Sequence, residues 1–316
     1  MNYNHTTHSH DLVTVLLPTY RESVKHFSQA VDSILNQTYP YFELLIILDD
    51  PTNIKIKEIA QNYYKHDSRI RLIENKKNKG LVYSLNESIP LAKGAFICRM
   101  DADDISKPNR LINQIKFLKS NNLDLVGGRV ETISNNDKSI YITPKLPQNP
   151  KQVNMALSWN NCIPHPTWLG KREVFGDGYR EVPFSEDYDF LIRAALKHYR
   201  LGNCNEIVLS YRLSDNSISR NNLFRQYLAQ QELTRSYKQN QIPNIELINK
   251  NITSKYSQKK DSNFFKANTL FNECLKNLSE RNYFSAFIKA MQIPFISREY
   301  MDKIYRFIRV SLLTIF

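Results

Sequence analysis

The sequence predicts an α/β fold, a Rossmann-like and mainly parallel central sheet flanked by helices, followed by a helical C-terminal extension. Three observations carry that prediction. Short apolar runs alternate with stretches of helical periodicity through the first 120 residues; several of the runs end in polar or acidic residues; and from about Asn221 the chain becomes basic and helical in pattern.

Leu12–Leu17 (LVTVLL), Glu43–Leu48 (ELLIIL), Ile70–Ile73 and Phe96–Met100 are the predicted strands, and Val24–Leu35, Ile54–Tyr64, Leu81–Ala92 and Arg110–Ser120 the crossover helices. Pro18-Thr19-Tyr20 follows the first strand, Asp49-Asp50 the second and Asp101-Ala102-Asp103-Asp104 the fourth. Ligands of such sheets bind beyond the carboxyl ends of the strands. After Leu123 come short extended pieces around a polar turn at Asn135-Asn136-Asp137, a Trp159–Pro166 loop and a predicted helix over Glu186–His198. The expected organisation is one α/β domain over 1–220, with halves over about 11–125 and about 126–220, then a basic helical region over 221–316.

Hydrophobic residues make up 41% of the 316 and charged residues 23%, which is ordinary globular usage and excludes a disordered chain or a membrane bundle. The four cysteines form no C-x-x-C pair, so neither a zinc site nor a disulfide framework is expected. The opening MNYNHTTHSH has no apolar core, and no run of 18 apolar residues follows, so a cytoplasmic, non-spanning protein is expected. From Asn221 to Phe316 there are 15 Lys and Arg against 7 Asp and Glu, a net of +8, which leaves +4 of the total +12 for the rest. Such a segment suits nucleic acid, anionic lipid or solubility, and the motifs have to discriminate.

Asp101, Asp103 and Asp104 at a strand end repel one another and call for a cation; Mn²⁺ or Mg²⁺ carried by a diphosphate takes one or two carboxylates plus phosphate oxygens. The same residues also read as an acidic helix start. Tyr20 beside Asp50 suits a pyrimidine base, with the ring stacking and the carboxylate accepting the imide N–H, although Asp-Asp-Pro-Thr is also good turn chemistry. Phe184-Ser185-Glu186-Asp187-Tyr188-Asp189 opens a helix and offers a rigidly held carboxylate as general base, or a plain N-cap with an acidic first turn. His165, held between Pro164 and Pro166, and the Tyr211–Arg220 stretch offer an imidazole, hydroxyls and two guanidinium groups for a phosphate, metal or acceptor.

Taken in order, the segments VTVLLPTYRE, SILNQTYPYFELLIILDDPT, NKGLVYSLNESIPLAKGAFICRMDADDISKPNRL, HPTWLGKREVF, SEDYDFLIRA and YRLSDNSIS resemble family 2 of the glycosyltransferases, with the GT-A fold, over Leu12–Arg220. The resemblance is greatest to hexosyl- and N-acetylhexosaminyl-transferases of bacterial lipooligosaccharide, O-antigen and capsule assembly. It implies inverting transfer from a nucleotide-sugar, with UDP as the expected nucleotide, to a saccharide or lipid-linked glycan. Position by position, it implies that Pro18, Tyr20, Glu22, Asp50, Lys79, Arg99 and Ala102 line the donor pocket, with Tyr20 and Asp50 on the base. Asp101 then serves the ribose side and the metal, Asp103 the metal, and Asp187 is the general base. His165, Arg212 and Arg220 become candidates for the diphosphate and acceptor neighbourhood. Two positions depart from the family pattern: Asp49-Asp50-Pro51-Thr52 replaces the usual Asp-Asp-Gly-Ser, and Asp215 stands where histidine is frequent.

Two rivals come from other classes. A nucleotidyltransferase would want a Gly-rich basic phosphate loop, which Pro18-Thr19-Tyr20-Arg21-Glu22 is not; a glycan or nucleic-acid binder would leave the strand-end carboxylates without a use, and no nucleic-acid partner is expected. Tyr283–Phe316 mixes aromatic and aliphatic residues with five Lys and Arg, as in a helix lying on the cytoplasmic face of the inner membrane; the alternative is a helix packed on the protein with a solvated basic face.

Overall fold

A computed structural model of the protein describes residues 11–213 and 222–314. The chain divides into two compact units, one of Met1–Val153, Cys162–Arg180 and Lys197–Ser214, the other of Asn154–Asn161, Glu181–Leu196 and Asp215–Phe316.

The first unit is a nine-stranded sheet. Its parallel half comprises β1 (Val13–Thr19), β2 (Phe42–Leu48), β3 (Ile70–Glu74) and β4 (Phe96–Arg99), joined by α1 (Val24–Leu35), α2 (Ile54–His66) and α3 (Leu81–Ser88). Every residue of β1 and β2 is buried, which explains their near-continuous apolar runs: strands covered on both faces do not alternate. α1 turns Phe27, Ala30, Val31 and Ile34 inward and is capped by Ser23, whose Oγ accepts from His26 N. The helix predicted to reach Ala92 stops at Ser88 and continues as a 3₁₀ turn over Ile89–Leu91, because Pro90 has no N–H for the next helical bond.

Beyond β5 (Ile105–Ser106) and α4 (Arg110–Ser120), the sheet turns largely antiparallel. β6 (Leu125–Ile133), β7 (Ser139–Ile142), β8 (Leu169–Lys171) and β9 (Leu201–Arg212) complete the order β3-β2-β1-β4-β8-β6-β9-β5, with β7 paired to β6. The predicted polar turn is the β6–β7 hairpin, where Asp137 takes φ 62°. Because sequence order runs outward as β1-β2-β3 and then jumps back to β4 beside β1, the β1/β4 boundary is the topological switch point of the parallel half. All four cysteines are buried free thiols.

The second unit is helical. It holds α6 (Glu186–Leu196), α7 (Leu223–Lys238), α8 (Ile245–Lys255), α9 (Gln258–Ser279), α10 (Tyr283–Ile296) and α11 (Arg298–Leu312); α5 (Pro150–Leu157) ends in it. α6 ends two residues before the predicted boundary, at His198, because His198 takes the left-handed φ of 65°. Phe224, Tyr227, Leu228, Phe264, Ile293 and Tyr300 form the aromatic core of this unit. Among the described residues no helix is long and apolar enough to cross a membrane.

Candidate active site

The strands that flank the switch point diverge at their carboxyl ends. Pairing between β1 and β4 stops at Leu16↔Arg99, while pairing between β1 and β2 continues to Thr19↔Leu48. Pro18 therefore sits past the last β4 rung, where a residue without an N–H loses nothing. Just beyond, Thr19 O accepts from Asp49 N at 2.9 Å, which brings the Tyr20 turn beside the Asp49-Asp50 pair. Arg21 lies between them, its guanidinium 4.7 Å from the Tyr20 ring centre and its Nε 3.9 Å from Asp50 Oδ2. Asp50 is held in turn by Thr52, whose N and Oγ1 both donate to its Oδ1, so its carboxyl stays below the usual range. Tyr20 remains 37% exposed and Arg21 is open to solvent, with the largely covered Asp50 carboxylate beside them.

The two acidic residues after β2 divide their work. Asp49 is buried and accepts four hydrogen bonds: Asn75 Nδ2 (2.7 Å) and Lys79 N (2.9 Å) on Oδ1, Asn78 Nδ2 (2.9 Å) and Gly80 N (2.8 Å) on Oδ2. It pins the 75–80 loop, and with it Lys79, whose exposed ammonium lies 4.6 Å from the Tyr83 ring centre. Gly80 carries φ 86°, the backbone this carboxylate clamp requires at the start of α3. Asp49→Asn is expected to destabilise the protein by roughly 3 kcal/mol and to raise the KM for donor, because an amide turns an N–H onto donors that already converge there. Thermal unfolding and a donor titration check this; a wild-type melting curve would show that the loop is held by something else.

Beyond β4, Asp101, Asp103 and Asp104 do three different things. Arg99 Nη2, buried at the strand end, forms an ion pair with Asp101 Oδ1. Asp104 is fully buried: Oδ1 accepts from Arg212 N at 2.8 Å, Oδ2 has no partner among the described residues, and burial with Asp101 and Asp103 alongside pushes its carboxyl well up. Asp103 is half-buried and its carboxyl is pushed up to about 7, by burial first and then by the negative charges of Asp101 and Glu22. Glu22, whose Oε2 accepts from Tyr20 N at 2.8 Å and from Thr19 Oγ1, is itself raised by burial. Ala102 is inside the core and contributes only backbone.

Glu22, Asp101 and Asp103 thus form a field of negative charge, partly desolvated and only partly offset by Arg99, at the switch point. Such a field fits a divalent cation. Among the described residues no three His, Cys, Asp or Glu side chains converge as a ready-made metal cage.

Two residues proposed for the diphosphate neighbourhood have other employment. Arg212 is fully covered; Nε donates to Asp103 O (2.8 Å), Nη1 to Ser134 O (3.1 Å) and Asp137 Oδ1 (2.6 Å), and Nη2 to Gln29 Oε1 (3.1 Å). It ties the Asp103-Asp104 turn to the β6–β7 hairpin and to α1, so its guanidinium is not presented to a ligand. His165 is buried, with Nε2 2.9 Å from Tyr179 Oη and its ring edge-on to Trp168 at 4.5 Å. Burial, reinforced by Arg99, holds it well below the usual histidine range and therefore neutral. Arg110, which the motif reading passed over, donates through Nη2 to both Arg99 O (2.8 Å) and Pro166 O (2.9 Å), joining the β4 end to the His165 loop. Arg220 lies outside the described residues.

Asp187 belongs to the second unit, in the first turn of α6. Its Oδ2 accepts from Asn161 Nδ2 at 2.7 Å and its Oδ1 from Tyr188 N at 2.7 Å, two bonds that fix the plane of the carboxylate. Ser185, the apparent N-cap, has a buried Oγ with no hydrogen-bond partner among the described residues. Neighbouring Asp189 is buried in an ion pair with Arg193, Nε to Oδ2 at 2.8 Å. Asp189 is thus a structural partner of its own helix, and Asp187 is oriented by the amide of Asn161.

Comparisons with known proteins bear on the family and the fold. The model of the family described as Glycosyl transferase family 2 matches residues 14–178. The O-antigen biosynthesis glycosyltransferase WbnJ of Escherichia coli is 31% identical over 239 residues, covering 74% of this chain and 92% of its own. The UDP-Glc:alpha-D-GlcNAc-diphosphoundecaprenol beta-1,3-glucosyltransferase WfgD, also of Escherichia coli, is 32% identical over 246 residues, covering 74% of this chain and 89% of its own. Among solved structures, TarS 1–349 of S. aureus in complex with UDP-GlcNAc has a TM-score of 0.58 at 15% identity, covering 96% of this chain and 90% of that one. The mannosyltransferase PcManGT of Pyrobaculum calidifontis, in complex with GDP-Man and Mn²⁺, has a TM-score of 0.56 at 15% identity, covering 89% and 86%. At that identity the structural likeness speaks for the fold.

Proposed function

Since this chain belongs to glycosyl transferase family 2, and is a glycosyltransferase of GT-A fold, we propose that it is the inverting, metal-dependent kind, moving a hexose or N-acetylhexosamine from a UDP-sugar to a saccharide or lipid-linked glycan of a bacterial surface polysaccharide. The observation that carries the reading is the carboxylate field of Glu22, Asp101 and Asp103 at the switch point, with the Tyr20–Arg21–Asp50 edge beside it. The likeness to WbnJ and WfgD, an O-antigen enzyme and one acting on a diphosphoundecaprenol-linked sugar, supports the pathway and the lipid-linked acceptor. Such an acceptor is assembled at the cytoplasmic face of a membrane.

In the proposed reaction the acceptor hydroxyl oxygen bonds to the anomeric carbon as the bond from that carbon to the diphosphate oxygen breaks. Asp187 takes the hydroxyl proton, held in one plane by Asn161. The nucleoside diphosphate leaves with the bonding pair. A divalent metal, when bound, would offset the charge developing on it; Asp103 would hold the ion, with Asp101 shared between the ion, the ribose side and Arg99. Tyr20 stacks on the base and Asp50 accepts its imide N–H, which favours uracil over a base lacking that group. We place 126–220 on the acceptor side and 11–125 on the donor side.

Incubation with a panel of UDP- and GDP-sugars in Mn²⁺, Mg²⁺ or EDTA tests the reading. Release of UDP that needs metal is the expected result. Release of pyrophosphate from a nucleoside triphosphate and a sugar phosphate, with every nucleotide-sugar inert, would overturn it in favour of nucleotidyl transfer.

A further inference from the structure

The C-terminal helices are amphipathic the wrong way round for a helix whose only task is packing. On α11, Met301, Tyr305, Ile308 and Leu312 follow the 4-3-4 spacing of a single helical stripe, and all four are exposed. Toward the core this helix turns Tyr300 and Ile304 together with Lys303 and Arg306, the last bonded to Asp302 and Thr234. α10 is apolar on two faces. Ala286 and Ile293 are buried, while Phe284 (76% exposed), Phe287 (63%), Met291 and Phe295 (87%) form an outward row. Exposed aromatic and aliphatic rows of this kind mark an interaction site.

Charge identifies the partner. Arg298 precedes Met301 by three residues and Arg309 follows Tyr305 by four, so both exposed arginines border the α11 stripe. Beside the same stripe, Tyr305 meets Trp159 edge-on at 5.7 Å, and Trp159 lies between Lys238 Nζ (4.0 Å from its ring centre) and Arg309 Cζ (4.8 Å). Among the described residues neither Lys238 nor Arg309 has a carboxylate within ion-pair distance. The segment from Asn221 onward has 15 basic and 7 acidic residues, net +8. A second copy of the chain would bring the same positive charge to the contact and be repelled. An amphipathic Trp and Tyr between a lysine and an arginine, together with the outward phenylalanines of the preceding helix, matches the boundary between acyl chains and anionic headgroups.

We propose that the outward faces of α10 and α11, with the Lys238–Trp159–Arg309 cluster, are a docking surface for an anionic lipid bilayer. Rings and aliphatic side chains enter the interface; Lys238, Arg298 and Arg309 contact headgroup phosphates. The surface contains none of the donor-site residues, and its occupancy requires neither donor nor metal, so its failure and that of the transferase reading are separable.

The test is co-sedimentation of the full chain with vesicles of phosphatidylglycerol and phosphatidylcholine, and of phosphatidylcholine alone, at low and high salt. Binding is expected only to the anionic vesicles and to weaken with salt. Lys238→Gln/Arg309→Gln should bind them roughly thirtyfold more weakly, at about 1 kcal/mol per charge and 1.4 kcal/mol per tenfold. Phe284→Ser/Phe287→Ser should weaken binding by at least about tenfold. Both variants change exposed side chains, so unaltered thermal unfolding and donor turnover certify the fold. No pelleting at low salt, equal pelleting with both lipids, or unchanged affinity in either variant overturns the surface, as does a micromolar dimer that the serine variant dissociates.

Discussion

Asp103→Asn is expected to abolish transfer. Asp103 is the half-buried member of a group of carboxylates whose mutual repulsion and desolvation push it up to about 7 in the absence of a cation. That strain is what a divalent ion bridged to diphosphate would relieve. An amide keeps the shape and one oxygen but removes the charge, so both the ion's affinity and the stabilisation of the leaving group fall together. Leaving-group assistance by a metal is worth several kcal/mol, so turnover should drop by about a thousandfold or more. Mn²⁺ titration in the presence of UDP, followed alongside UDP-sugar turnover, measures both. Removing the negative charge also relaxes the carboxylate cluster, so the variant should melt no lower than the wild type. Wild-type turnover with wild-type Mn²⁺ affinity would remove Asp103 from the metal site.

The second large effect belongs to Asp187→Asn. General-base assistance is typically worth 10²- to 10⁴-fold, so kcat should fall by about a hundredfold or more while the donor's affinity stays near wild type. In this variant the amide can turn its oxygen toward Asn161 Nδ2 and keep that orienting bond, while the bond that Asp187 Oδ1 accepts from Tyr188 N is lost. Kinetics at saturating donor, with donor affinity measured separately by UDP competition, distinguish the outcomes. A collapse of donor binding with little change in kcat would make Asp187 a donor ligand and place the base elsewhere.

These two residues were visible as candidates because each sits where an element ends in acidic residues, Asp103 after β4 and Asp187 at the start of α6. Their neighbours are less evenly legible. Asp49 and Asp50 are adjacent and chemically identical, yet one is a buried four-bond clamp and the other is held by Thr52 within reach of Arg21. Arg212 looked like a phosphate ligand on charge alone, and its partners Asp103 and Gln29 lie 109 and 183 residues away. His165, confined by two prolines, proved to be a neutral member of an aromatic stack with Trp168 and Tyr179. Arg110 drew no attention because an arginine in a helix's first turn ordinarily points to water.

The amino-acid sequence by itself determined the alternation of strands and helices, the ends of α1 and α4, the acidic strand termini and the order of blocks that places the chain in its family. Those features are local: periodicity, capping and composition act within a few residues, and no partner from elsewhere is needed to read them. The tertiary structure alone decided which charges are covered and which are offered. It brought Glu22 into the field of Asp101 and Asp103, closed Arg212 over the Asp103-Asp104 turn, and aimed Asn161 at Asp187. It also turned the apolar stripe of α11 outward, where the helical pattern is the same whichever way it faces. Burial and hydrogen-bond partners arise from contacts between distant parts of the chain, and a side chain's charge or hydropathy does not say what will surround it.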